Sequence, residues 1–68
     1  MKNRVKEVRE ALQMPQGNIA KYCGVSRQTI YAIENGTFNP SVVLALKIAK
    51  ALNCTVEKLF DLEKGDFK

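Results

Sequence analysis

The stretch QGNIAKYCGVSRQTIYAIENG, from Gln16 to Gly36, carries two short apolar patterns of helical spacing separated by a glycine. Ile19, Ala20 and Cys23 share the inner side of a helix over about Gln16–Cys23, and Ile30 and Ile33 share the inner side of a second that stops at Asn35-Gly36. Between them Gly24 can take the left-handed conformation that closes a helix without a Cβ clash. Ser26 then offers a side-chain oxygen to cap the second helix. Ala20 is small enough for the second helix to cross closely over the first, while Val25, Ile30 and Ile33 lock that crossing at a steep angle. The start of the first helix is weakly specified, because Pro15 has no capping oxygen and Gly17 and Asn18 are poor helix interiors.

Working outward, Val5, Val8 and Leu12, with Ala11 beside them, predict a helix over about Asn3–Gln13 whose outer side is Lys6, Glu7 and Glu10. Asn3 is its expected N-cap and Pro15 closes it, since the residue before a proline is pushed away from helical geometry. Beyond Gly36 the loop Thr37-Phe38-Asn39-Pro40 leads to Ser41, the expected cap of a helix over about Val42–Leu52. Val43, Leu44, Leu46, Ile48, Ala49 and Leu52 give that helix a broad apolar face, as for a helix packed in the centre of a bundle. Asn53 stops it, Thr55 caps a short helix over Val56–Phe60, and Leu62 and Phe67 fall in an irregular tail, residues 61–68. The expected architecture is all-α, five short helices in one domain over 1–68, with the central pair at about 16–35.

Hydrophobic residues make up 46% of the 68, enough for one modest core. The net charge is +4 and unevenly placed: residues 1–50 hold eight Lys and Arg against three Asp and Glu, while residues 51–68 hold three against four. A basic body with a near-neutral end suits a polyanion on one face. No signal-peptide pattern and no long apolar run are present, so a cytoplasmic location with no membrane partner is expected. Cys23 and Cys54 are far apart and the chain has no histidine, which argues against a metal site, and each cysteine fits a buried apolar position. Without histidine, paired carboxylates or a glycine-rich phosphate loop, the parts of an enzyme are missing, and no cofactor is expected.

The ordered series GVSRQTIYAIENG (Gly24–Gly36), NPS with VVLALKIAKALN (Asn39–Asn53) and TVEKLF (Thr55–Phe60) resembles the phage repressor and Cro family of XRE-like helix-turn-helix domains. The resemblance runs from about Arg4 to Leu62 and implies a lambda-repressor-like fold whose third helix enters the major groove of double-stranded DNA. It implies base contacts from Arg27, Gln28 and Ala32. It implies backbone contacts from Gln16, Asn35, Thr37 and Asn39, with Phe38 in the same backbone-contacting loop, and phosphate or base contacts from Thr29 and Tyr31. Ser26, at a helix N-terminus, is placed for backbone phosphate. Arg9 and Glu34 match a structural pair between the first helix and the end of the third. The side-chain chemistry agrees: arginine pairs bidentately with guanine, glutamine with adenine, and alanine at most touches a thymine methyl.

A monomer reading two or three bases would bind weakly, so a homodimeric repressor on a palindromic operator is expected, with Phe60, Leu62 and Phe67 as its interface. The alternative is that Phe60 and Leu62 complete the core. A second class of function, an antitoxin-like or adaptor module that docks an unknown protein partner, fits the same fold. Against a pure adaptor stand the basic body and the pair Arg27-Gln28.

Overall fold

The computed structural model describes residues 1–67, so Lys68, the end of the expected tail, lies outside the described residues. The chain forms β1 (Lys2–Asn3), α1 (Val5–Ala11), α2 (Gln16–Cys23), α3 (Arg27–Glu34), α4 (Val42–Ala51), α5 (Val56–Leu59), β2 (Phe60–Asp61) and a closing 3-10 turn, Lys64–Phe67. Five helices stand where five were expected, and a two-stranded ribbon is added to them. The strands pair antiparallel, Lys2 opposite Asp61 and Asn3 opposite Phe60. Each is two residues long, too short to leave an alternating pattern in the sequence.

The ribbon explains why α1 starts later than its spacing suggests. Asn3 is drawn into β1, Arg4 stands at the cap position, and Asn3 instead accepts the Val5 amide on its side-chain oxygen at 3.2 Å. Arg4 extends the same junction: its amide donates to the Leu59 carbonyl at 2.7 Å, and its guanidinium reaches the Lys58 carbonyl and the Asp61 carboxylate. The tail is likewise less irregular than expected. The Met1 ammonium lies 3.0 Å from Glu63 and 3.2 Å from Asp66. Asp66 also accepts the Glu63 amide at 2.7 Å, and these contacts hold its carboxyl below the usual range.

Side-chain caps begin three helices where expected. Ser26, Ser41 and Thr55 accept the amides of Thr29, Leu44 and Lys58. Four helices end with the same double turn: an amide two or three residues past the end reaches back five residues, as in Met14 to Arg9, Val25 to Ala20, Thr37 to Ala32 and Cys54 to Ala49. Glycine supplies the left-handed residue after α2 and α3, at φ 73° for Gly24 and 79° for Gly36. After α1 and α4, Gln13 and Asn53 take it, each at φ 55°.

The core is built from Val5, Ile19, Ala20, Cys23, Ile30, Ile33, Ile48, Ala49, Leu52 and Leu59. α2 packs against both α3 and α4, and small Ala20 and Ala49 sit in that core. Burial pushes the Cys23 thiol up, with Lys47 opposing. Two expectations about apolar faces fail. Leu12 is 52% exposed, beyond the end of α1. On α4 only Ala45, Ile48 and Ala49, followed by Leu52, are buried; Val43 and Leu46 face outward. A domain this small covers one stripe of α4 and leaves the rest open.

The helix ends yield a stability test. No atom lies within 4 Å of where a Cβ on Gly24 would sit, so Gly24→Ala meets only the left-handed backbone penalty, about 1–2 kcal/mol. Gln13→Gly relieves the same penalty at the end of α1 and should stabilise by up to about 1 kcal/mol. Urea titration should move the midpoint down for the first and up for the second.

Candidate nucleic-acid interface

The position of α3 is fixed at its C-terminal end. Arg9 from α1 donates through Nε to Glu34 at 2.6 Å and through Nη2 at 3.3 Å, while Nη1 donates to the Met14 carbonyl at 2.7 Å. Gln16, the first residue of α2, donates from Nε2 at 2.9 Å to Oε1 of the same carboxylate, the oxygen that also takes Arg9 Nη2. The Glu34 side chain is 1% exposed and that of Arg9 10%. The Glu34 hydrogen bond raises the Arg9 pKa against the opposing cost of desolvation. Asn3 adds a second tie to this end, donating to the Ile33 carbonyl at 2.8 Å. This network supplies the start of α2 that Pro15 leaves unspecified: Gln16 is anchored by Glu34, and the Pro15 carbonyl accepts the Asn18 amide.

The other end of α3 is open. Arg27 and Gln28 are its first two residues and both are exposed. The Arg27 stem crosses the start of α2, its Cδ 3.4 Å from where a Cβ on Gly17 would sit. Ser26 accepts the Thr29 amide at 3.2 Å, and the two hydroxyls meet at 3.1 Å. Tyr31 and Ala32 lie one turn on, Tyr31 exposed and Ala32 half-buried. The following loop folds back onto the helix: Thr37 gives both its amide and its hydroxyl to the Ala32 carbonyl, at 3.0 and 3.1 Å. That places half-exposed Phe38 beside Ser26, Gln28, Thr29 and Ala32, around a shallow notch.

The residues expected at one surface thus fall into groups. Arg27 lies over Gly17 at the start of α2, next in sequence to Gln16, while Gln28, Ser26, Thr29 and Ala32 line one notch. Gln16 is occupied on its amide nitrogen by Glu34. Asn35 sits at the far end of α3, beside Lys2, Asn3 and Gly36. Thr37 is turned toward Ala32, and Asn39 is exposed. The three residues expected at a dimer interface separate. Phe60 packs against the core from β2, while Leu62 and Phe67 are exposed in the closing segment, at 64% and 76%. Sequence reasoning placed Phe38 with the backbone-contacting loop and missed its place against the first turn of α3. The available signal was a lone aromatic in an otherwise polar loop. It also missed the groove of Pro40, Val42, Ala45, Leu46, Val56 and Phe60. Among the described residues, no group of three His, Cys, Asp or Glu side chains could hold a metal ion, and no helix is long and apolar enough to cross a membrane.

Removing one partner of the buried pair strands the other charge. Glu34→Ala is expected to cost about 3–5 kcal/mol, a large part of the stability of a domain this size. Replacing both, Arg9→Met with Glu34→Leu, is expected to recover most of that loss, which denaturant titration of the three variants would measure.

Comparison with known proteins agrees with this geometry. The sequence model of the helix-turn-helix family matches residues 5–59. The chain is 47% identical over 64 residues to the uncharacterized HTH-type transcriptional regulator YgzD of Bacillus subtilis, covering 94% of this chain and 97% of that one. It is 48% identical over 66 residues to the uncharacterized HTH-type transcriptional regulator MJ0272 of Methanocaldococcus jannaschii, covering 97% of this chain and 100% of that one. Among solved structures it is similar to the restriction-modification controller protein C.AhdI from Aeromonas hydrophila, with a TM-score of 0.78 and 35% identity over 84% of this chain and 86% of that one. The chain belongs to the helix-turn-helix family, and is a DNA-binding transcriptional regulator of the Cro/C1 type rather than an enzyme.

Proposed function

We propose that this protein is a cytoplasmic repressor that binds a palindromic operator as a homodimer, one α3 in each of two successive major grooves. The observation that carries the reading is the polarity of α3: its end is latched by Arg9, Glu34 and Gln16, and its first turn presents Arg27 and Gln28 to solvent. Arg27 and Gln28 read base edges, with Ala32 against a base. Gln16, Ser26, Thr29, Tyr31, Asn35, Thr37 and Asn39 hold phosphates and sugars, which fix register without reading sequence. Gln16 can serve both roles, since its amide oxygen and second N–H are not used by the Glu34 bond. The whole of 1–68 acts as one binding domain, and repression follows from blocking polymerase.

The second copy occupies the groove of Pro40, Val42, Leu46, Val56 and Phe60, and the exposed Leu62 and Phe67 supply further apolar contacts. Val42 at 77% and Leu46 at 57% exposure are large apolar surfaces for a free monomer to leave in water. They lie on α4, α5 and β2, elements that carry none of the proposed base-reading residues, so pairing there leaves both copies of α3 available. Two-fold pairing is self-complementary, which one apolar groove on each copy satisfies.

Selection of bound duplexes from a random pool at about physiological salt tests the DNA reading, because non-specific binding alone is weak there. The expected product is a palindrome with half-sites one turn apart, roughly 34 Å. Gln28→Ala should relax preference at one position of each half-site, whereas Lys6→Ala and Lys47→Ala at most weaken binding evenly. No enrichment would contradict the reading and favour the protein-docking class. For the dimer, sedimentation equilibrium should give a two-chain mass at micromolar concentration. Leu46→Lys should be a folded monomer, since that side chain takes no part in the core. A wild-type monomer with and without DNA would contradict it.

A further inference from the structure

We propose that the notch between Phe38 and the first turn of α3 is a receptor for the C5 methyl group of a pyrimidine, making Phe38 a specificity-determining residue. This rests on the DNA-binding reading above and assigns it a second reading element besides Arg27 and Gln28. The notch is lined by Ser26, Gln28, Thr29, Ala32 and Phe38. Its two hydroxyls, of Ser26 and Thr29, share one hydrogen bond at 3.1 Å, and Ser26 also accepts the Thr29 amide. The other lining residues, Phe38 and Ala32, are apolar, and Gln28 brings a side-chain amide to the same notch. The one hydroxyl proton left over can serve a phosphate at the edge, while the apolar part suits a small apolar group next to a base that Gln28 can pair with.

The notch is also preformed. Phe38 is 48% exposed, and its loop is pinned one residue earlier by the two bonds from Thr37 to the Ala32 carbonyl. Little ordering of the loop therefore remains to be made on binding, and the methyl-to-ring contact is gained almost in full. In the major groove the C5 methyl is what distinguishes thymine from uracil and 5-methylcytosine from cytosine, so both thymine and 5-methylcytosine present this chemistry.

The test is thymine-to-uracil scanning of the selected duplex, read as affinity by fluorescence anisotropy for wild type, Phe38→Leu and Phe38→Ala. One position in each half-site should lose about three- to five-fold on removal of the methyl, the size expected for one buried carbon. The loss should persist in Phe38→Leu and vanish in Phe38→Ala, whose helical circular dichroism should match wild type because Phe38 lies outside the core. At that position, cytosine and 5-methylcytosine separate the sources. An equal gain from either methyl identifies a receptor for the methyl alone, and a gain confined to the uracil-thymine pair identifies thymine as its ligand. Specific binding with no uracil penalty, or with a penalty unchanged in Phe38→Ala, overturns the proposal while leaving the DNA-binding reading in place. Absence of any sequence-specific binding overturns both.

Discussion

The ion pair of Arg9 and Glu34 joins α1, the start of α2 and the end of α3 at one buried point. Burying two charges costs more than their attraction returns unless every remaining donor and acceptor is used. Here they are used. Arg9 spends its third nitrogen on the Met14 carbonyl, Glu34 takes a further bond from Gln16, and among the described residues no buried side-chain nitrogen or oxygen lacks a partner. The return is geometric more than energetic. An aliphatic core of Ile19, Ile30, Ile33 and Ile48 tolerates a slide of one helix over another, whereas a forked guanidinium on a carboxylate does not. Asn3, bonded to the Ile33 carbonyl, adds the N-terminal ribbon to the same anchorage.

From that fixed end the rest of the surface follows. A helix of eight residues spans about 12 Å, so locking one end and packing Ile30 and Ile33 beneath it defines where the first turn points. Ser26 satisfies the amide of Thr29 within the turn, and Arg27 and Gln28 stand exposed there. The loop after α3 is bound to the helix it leaves, through Thr37, so Phe38 belongs to the same rigid surface. The apolar side chains that a small domain cannot cover collect elsewhere, on α4, α5 and β2.

Much of this was legible in the residues, for stated reasons. Ser26, Ser41 and Thr55 are capping side chains before apolar repeats, and each caps as expected. Gly24 and Gly36 mark left-handed helix ends, and both adopt that backbone. Gln13 does the same with no glycine to announce it, so the apolar spacing predicts a longer α1 than the backbone forms. The ribbon of Lys2–Asn3 with Phe60–Asp61 is set by tertiary contact and has no local period to read. The apolar width of α4 was visible, but spacing does not tell a central helix from one with an uncovered face. In the site, the resemblance paired Arg9 with Glu34, and the structure brings them together. The share of Gln16 in that pair, and the meeting of Phe38 with Gln28, depend on the helix crossing and the return of the loop.

The central claim is that a latched α3 presents its first turn to the major groove, and dimethyl sulfate footprinting of the protein on its selected duplex tests it most directly. The reagent modifies guanine N7 in the major groove and adenine N3 in the minor groove. The account predicts protection of guanine N7 in each half-site, in two patches one helical turn apart, with adenine N3 between them still reactive. Reactive guanine N7 with protected adenine N3 would place the protein in the other groove and contradict it.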